Sequence, residues 1–475
     1  MLFQKILTSF QKFPTKKCID CYTYNDVYKL VKKYDKLLKD HHVNKKDRVC
    51  WDAPKSPHWP AIMLATWMRG AIFVPFNQGN PLLNDHIIRT VKPKVILRDH
   101  LVDNINDTGH HYISECAHDI NMDSASTILF TSGSTSQPKG VVLSHNNIWT
   151  NLQQIHERVG DDIDQKDSAF SILPWHHCYG LVCELLFLMT RNAHISVPTS
   201  KDPKKIITEM KWKTPTLFYA VPKVLENIYK NDINRVPGAL KRNLIFGHRI
   251  RRISVGGAFC PPKLISFMSE EYKIPTIQGY GMTETSPMIS LNSIYENRVG
   301  SVGKPVKNVK IDFSYENNEI LVRGDNVMSG YLKFVTKENA FILEQPGEWF
   351  HTGDKGYMDK DGFLYVNGRT KMEYKLSNGK YVNPIYIEKM LCLSPLIDQA
   401  VVFGDGLAHN KVIIHSGQND KKKMLNHIRE LLKDKVQHYE VPNDVFFTEE
   451  PFSLQNGLLT QKLEPNRNKI LKLYS

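Results

Sequence analysis

Between Tyr24 and His41 apolar side chains return every three or four positions, at Val27, Leu30, Val31, Tyr34, Leu37 and Leu38, with lysines and aspartates between them. That rhythm predicts a helix with one apolar stripe. It then changes. Asp47-Arg48-Val49-Cys50-Trp51 opens a strand, Ala61–Met68 reads as a helix of small residues, and Ala71-Ile72-Phe73-Val74-Pro75 and Lys94-Val95-Ile96-Leu97 read as buried strands. The pattern recurs at Ile245–Val255 and around Thr276–Ile277. Strands alternating with helices predict βαβ units and a mainly parallel sheet, an α/β fold.

Near residue 300 the character shifts to short strands with turn signals: Ile311–Phe313, Glu319–Val322, Gly356–Met358 and Phe363–Val366. Asp359-Lys360-Asp361-Gly362 joins the last two as a hairpin turn. After Gly368-Arg369 comes a small α+β segment, with helices near 385–393 and 421–434 and a strand at 399–403. A boundary near 368–371 divides the chain into domains 1–368 and 369–475. The length, 475 residues, suits two to four structural units.

Composition narrows the class. An apolar fraction of 41% supports a packed core and not a disordered chain. The net charge of +13 favours anionic partners such as nucleotides, coenzyme A or acidic lipid headgroups. Nucleic acid is not among the expected partners, because the basic residues are spread out and the longest run is Lys421-Lys422-Lys423. Eight cysteines lie without a disulfide-framework spacing, and Cys18 and Cys21 form a lone CxxC with no second pair to complete a zinc site. They read as reduced thiols of a cytoplasmic protein. Leu181–Met189 is interrupted by Glu184 and too short to span a bilayer. Met1–Phe13 mixes Leu2, Phe3, Ile6, Leu7 and Phe10 with Lys5 and Lys12; it reads as a packing helix, with a peripheral membrane contact as the alternative.

The candidate chemistry begins at Ile128-Leu129-Phe130-Thr131-Ser132-Gly133-Ser134-Thr135-Ser136-Gln137-Pro138-Lys139-Gly140. A hydrophobic strand runs into small hydroxylated residues, two glycines and a lysine. Glycines let backbone approach a phosphate chain, hydroxyls and N–H groups donate to its oxygens, and a lysine neutralises charge. The spacing is not G-x4-G-K-[ST], so a P-loop site is disfavoured.

This loop resembles the [ST]-S-G-[ST]-T-G-x-P-K-G signature of the adenylate-forming superfamily (acyl-CoA synthetases, firefly-luciferase-like enzymes and adenylation domains), with Ser136 in place of the usual glycine. Further segments match in order. Leu173-Pro174-Trp175-His176-His177-Cys178-Tyr179-Gly180 resembles L-P-x-x-H-x-x-G, which puts His177 beside the acyl-adenylate. Ser254-Val255-Gly256-Gly257-Ala258 resembles the turn that walls adenine and the acyl group. Gln278-Gly279-Tyr280-Gly281-Met282-Thr283-Glu284-Thr285 matches Y-G-x-T-E. The resemblance implies that Tyr280 stacks on adenine, Thr283 contacts the α-phosphate and Glu284 helps hold Mg2+. Trp349-Phe350-His351-Thr352-Gly353-Asp354 matches W-x-x-T-G-D, with Asp354 on the ribose hydroxyls, and Gly368-Arg369-Thr370-Lys371 matches the junction at which Arg369 assists ribose and phosphate and Lys371 is the hinge. Lys375–Pro384 and Phe218–Val224 look most like the long-chain acyl-CoA synthetase branch.

What the resemblance implies is a large N-terminal domain of mainly parallel βα subdomains plus a distorted β-barrel, and a mobile C-terminal domain. Its chemistry is ATP- and Mg2+-dependent activation of a medium- or long-chain fatty acid to acyl-AMP, then transfer to coenzyme A. Acyl carrier protein is the alternative acceptor. The family's C-terminal catalytic lysine has an altered setting here. In Leu458-Leu459-Thr460-Gln461-Lys462-Leu463-Glu464-Pro465-Asn466-Arg467 an ungapped match puts Glu464 in the lysine's place and Lys462 two residues early. Lys462 is the catalytic candidate if the loop shifts register. Otherwise the chain is a catalytically impaired binder of nucleotide or acyl-AMP.

Overall fold

The computed structural model describes residues 2–78, 80–98, 121–131, 138–231, 238–336, 341–370, 372–460 and 464–474. The βαβ rhythm resolves into two large sheets. One runs in the order Phe341–Glu344, Gly330–Val335, Lys139–Ser144, Ala125–Thr131, Ile72–Pro75, Arg48–Asp52, Val95–Arg98. Its early strands pair in parallel and its later ones antiparallel. The other has nine strands, with a parallel centre from Thr276–Gly281 through Arg252–Val255, Leu217–Ala220, Ser168–Phe170 and His194–Ser196 to Lys17–Ile19. The chain's first strand therefore sits beside one nearly two hundred residues later, with Ile19 opposite Ile195.

The helix Tyr24–Asp40 starts where Thr23 and Asp26 form a reciprocal capping box, and Val27, Val31, Tyr34 and Leu38 are its buried stripe. Ser144 and Asn147 cap the helix His145–Val159 in the same way. The first helix, Leu2–Lys12, turns Leu2, Phe3, Ile6, Leu7 and Phe10 into the core, with Phe10 edge-on to Tyr24 at 5.0 Å and Asn192 donating to the Ser9 carbonyl at 2.8 Å. Its apolar face thus packs inward. The apolar run around Glu184 is helical and buried: Tyr179–Leu186 has π-helical hydrogen bonding and Phe187–Thr190 continues as α-helix. Among the described residues no helix is long and apolar enough to cross a membrane.

The strands expected to close a distorted barrel pair, among the described residues, as an open four-stranded antiparallel sheet: Lys310–Phe313, Glu319–Arg323, Phe350–Met358, Leu364–Arg369. Gly330–Val335 and Phe341–Glu344 leave it for the edge of the seven-stranded sheet, because Gly330 and Tyr331 pair with Val142 and Val141. The fold is mixed α/β, with a large N-terminal part and a small C-terminal one. The latter has its own core of Val382, Ile387, Leu391, Val412 and Ile428 around the sheet Gln399–Phe403, Lys411–His415, Asp444–Phe447.

Candidate functional site

Three of the residues singled out from sequence meet directly. Asp354 on Phe350–Met358 lies opposite Arg369 on Leu364–Arg369 in the antiparallel register. Arg369 Nε is 2.9 Å from Asp354 Oδ1, and the Tyr280 hydroxyl donates to Asp354 Oδ2 at 2.8 Å. Asp354 is buried, so these donors balance a carboxylate held away from water. Burial, and then the carboxylate beside it, push the Tyr280 phenol well above its ordinary pKa, which keeps it a donor. Packing works against the charge of Arg369, but Asp354 and Glu464 more than offset it and raise the pKa.

Tyr280 reaches Asp354 because its strand, Thr276–Gly281, ends in a tight return. A Cβ at Gly281 would lie 1.8 Å from the Pro287 carbonyl oxygen, so only glycine allows the strand to fold back there. The short turn Thr283–Thr285 follows. Glu284 is buried; its Oε1 accepts from the Tyr331 hydroxyl at 2.9 Å, and its carbonyl accepts from Met328 N at 2.8 Å. Thr283, half-buried, begins the same turn. Lys139 Nζ lies 4.5 Å from the centre of the Tyr331 ring, so one tyrosine bridges the lysine that ends the Ser/Thr/Gly loop and the turn that carries Glu284. Thr131 and Lys139 face each other as the last pair of a hairpin. Ser132, Gly133, Ser134 and Thr135 lie outside the described residues, as do Lys371 and Lys462.

His177 stands in the turn before the π-helical segment, its ring 4.3 Å from that of His176. Burial, and then the neighbouring His177, lower His176 to about 3, so it is neutral near pH 7. The turn is pinned from below. Lys55 Nζ donates to the Ser171 and Leu173 carbonyls, and Ser171 Oγ donates to the buried Glu184 at 2.6 Å. Burial pushes Glu184 up and Lys55 down, each opposed by the other's charge.

A cavity adjoins this assembly. It is lined by Gly256, Gly257, Gly279, Tyr280 and Gly281, but not by Ala258, and extends between Tyr179, Tyr219 and Arg252. Its empty volume, open mouth included, is about 570 Å³. Gly257 has φ +81°, and a Cβ on Gly256 would touch the Tyr179 ring at 3.5 Å, so the glycine turn lets a ligand lie against backbone. Sequence reasoning missed Tyr179, Tyr331 and Arg252. A glycine before Tyr331, and arginine at the head of a buried strand, were the signals available.

At the far end of the chain, Thr460 N donates to the Glu464 carbonyl at 2.7 Å and Leu459 bridges Pro465. The Glu464 carboxylate is close enough to raise both Arg369 and Lys389. The small C-terminal part meets the large one where Lys389 Nζ lies 3.0 Å from Glu226 and where Lys230 donates to the Ile397 carbonyl at 2.6 Å.

A single carboxylate, Glu284, beside a hydrogen-bond donor fits Mg2+, which takes one or two protein oxygens and fills its shell from substrate phosphates and water. An all-protein metal cage finds no counterpart, since the described residues contain no group of three or more His, Cys, Asp or Glu side chains placed to hold a metal.

Comparison with known proteins gives a consistent picture. Residues 8–332 match the model of the AMP-binding enzyme family, and residues 374–445 that of the AMP-binding enzyme C-terminal domain. A 2-succinylbenzoate–CoA ligase from Bacillus cytotoxicus is 31% identical over 355 residues, 71% of this chain and 69% of the relative. Fatty acyl-CoA synthetase B from Dictyostelium discoideum is 27% identical over 426 residues, 74% of this chain and 62% of the relative. Among solved structures, the o-succinylbenzoate coenzyme A synthetase of Bacillus subtilis in complex with AMP superposes with a TM-score of 0.77 at 22% identity, over 98% of this chain and 97% of that one.

Proposed function

Since the chain belongs to the AMP-binding enzyme family, we propose that it is an acid–thiol ligase that uses ATP to activate a carboxylic acid and passes the acyl group to coenzyme A. The observation that carries this reading is the Tyr280–Asp354–Arg369 cluster standing beside the glycine-walled cavity. It supports an adenosine site next to a pocket for an acid.

In the first half-reaction a carboxylate oxygen of the acid bonds to the α-phosphorus of ATP, the bond from that phosphorus to the bridging oxygen breaks, and pyrophosphate leaves. Asp354 accepts from the ribose hydroxyls, Tyr280 lies on adenine, and Arg369 faces the ribose and phosphate. Thr283 and the Thr131–Gly140 loop, with Ser132, Gly133, Ser134, Thr135 and Lys139, hold the phosphates. Glu284 would hold Mg2+, which when bound would supply positive charge to offset that on the phosphate oxygens. His177 borders the acyl-adenylate, and Lys462 donates to the oxygens where charge builds. In the second half-reaction the coenzyme A thiol loses its proton to solvent, its sulfur bonds to the acyl carbon, the bond from that carbon to the phosphate oxygen breaks and AMP leaves. Domains 1–368 and 369–475, hinged at Lys371, close around each step and exclude water from the mixed anhydride.

The acid is supported in two directions. The resemblance of Lys375–Pro384 and Phe218–Val224, and the name of the Dictyostelium relative, support a fatty acid; the name of the Bacillus cytotoxicus relative supports a benzoate-bearing one. A second functional reading, an impaired binder, draws on Glu464, whose carboxylate stands near Arg369 where the family motif has its lysine. One experiment separates them: ATP–pyrophosphate exchange across a carboxylate panel, followed by AMP release with coenzyme A or acyl carrier protein. Acid-dependent exchange and coenzyme A-dependent AMP release are expected. ATP bound without exchange for any acid would leave only the impaired binder.

A further inference from the structure

One charged side chain stands in the wall of the cavity. Arg252 is 1% exposed, and its neighbours there are aromatic or apolar: Tyr179, Cys183, Tyr219, Ile155 and Val159. A guanidinium taken out of water needs its donors met. Here they are not. Nε and Nη1 have no hydrogen-bond partner. The nearest carboxylate, Asp162, is 3.7 Å from Nη1 and already accepts the Tyr295 hydroxyl at 2.7 Å on Oδ1. Tyr219 interacts with the guanidinium through its hydroxyl, and the next carboxylate, Asp167, is tied to Arg251 at 2.7 Å. Arg251 and Arg252 thus divide the work. The first is paired outside the cavity, and the second is left with open donors inside it.

The strand relates this arginine to the reacting end of the site. Arg252, Ser254 and Gly256 alternate onto one face, and all three line the cavity. From Arg252 to Gly256 is four residues, a run of about 13 Å at the usual strand rise. An acid whose reacting carboxylate lies at the Gly256–Gly257 turn extends back along this strand. A tail ending in a methyl group brings nothing to Nε and Nη1. A tail ending in a carboxylate brings an acceptor-only group to a donor-only one, with opposite charge.

We propose that Arg252 is the specificity-determining residue of the acyl pocket, and that the preferred substrates are acids bearing a second carboxylate remote from the one activated, in place of plain fatty acids. The inference rests on the acid-activating function proposed above and names its substrate class. The discrimination comes from the buried donors themselves, because a substrate without the second carboxylate leaves them unpaired inside the protein.

The test is pyrophosphate exchange with pairs of acids of equal length, each pair one straight-chain monocarboxylic and one α,ω-dicarboxylic acid, together with benzoate and carboxyl-bearing benzoates. For the best pair kcat/KM should favour the two-carboxylate acid by about 100-fold. Arg252→Met should invert that ratio, and Arg252→Lys should keep its direction. The wild-type comparison needs no variant to fold. Equal or better turnover of the plain acids by the wild type overturns this inference alone, as does an Arg252→Met enzyme that loses both members of a pair equally. Silence with every acid overturns the activation of acids and this inference with it.

Discussion

Tyr331 holds Glu284 at one end and lies under Lys139 at the other, so it couples the carboxylate proposed to hold Mg2+ to the loop proposed to hold the phosphates. Burial, and then Glu284, raise its phenol, which stays protonated and donating. A hydrogen bond to a charged acceptor contributes about 1.5–3 kcal/mol. Tyr331→Phe keeps the ring under Lys139 and removes the donor. The expected result is adenylation slowed about tenfold and a higher Mg2+ concentration for half-maximal rate; an unchanged Mg2+ dependence would remove Tyr331 from the site. Tyr280, Asp354 and Arg369, which the structure brings together, were singled out in the sequence because each sits in a short motif that resembles the family's. Tyr331 and Arg252 were not, because their contacts depend on strand register. Arg251 and Arg252 are adjacent and chemically identical, and only the alternation of the folded strand says which one meets the cavity.

The helix Leu2–Lys12 illustrates what periodicity can and cannot decide. The same apolar stripe serves a bilayer surface or a protein core, and here it is turned into the core, with Phe10 edge-on to Tyr24 and the Ser9 hydroxyl donating to the Met189 carbonyl. Phe10 is 2% exposed. Phe10→Ala should therefore lower the unfolding free energy by about 3–5 kcal/mol in a denaturant titration. A loss below about 1 kcal/mol, the size expected of a surface change, would mean the helix is not docked. Strands of the βαβ rhythm were legible to within a residue: Asp47–Trp51 became Arg48–Asp52, and Lys94–Leu97 became Val95–Arg98. The π-helical run Tyr179–Leu186 was not, because a continuous apolar stretch carries no period to distinguish helical types. Nor was the departure of Gly330–Val335 to another sheet, which depends on pairing across nearly two hundred residues of chain.

Some consequences belong to the molecule entire. Burial lowers His145 from 6.5 to about 4, and both of its ring nitrogens lack hydrogen-bond partners. His176 behaves similarly, at about 3. Below about pH 6.5 the unfolded chain takes up protons that the folded one refuses, so stability falls as pH falls toward 4. For His145 the full effect is on the order of 3 kcal/mol. Urea midpoints should decline through that window, and His145→Gln should flatten the decline; an identical slope in the variant would show that His145 does not contribute.

The pairing of Ile19 with Ile195 also fixes an order of events in the cell. The first strand leaves the ribosome long before its sheet neighbour is made, a wait of roughly 9–35 s at ordinary rates of synthesis. Meanwhile Leu2, Phe3, Ile6 and Phe10 have no helix Phe187–Thr190 to lie against. The nascent chain thus carries part of an apolar helix uncovered until that later segment is made, a stretch of exposed surface of the kind that promotes aggregation during synthesis.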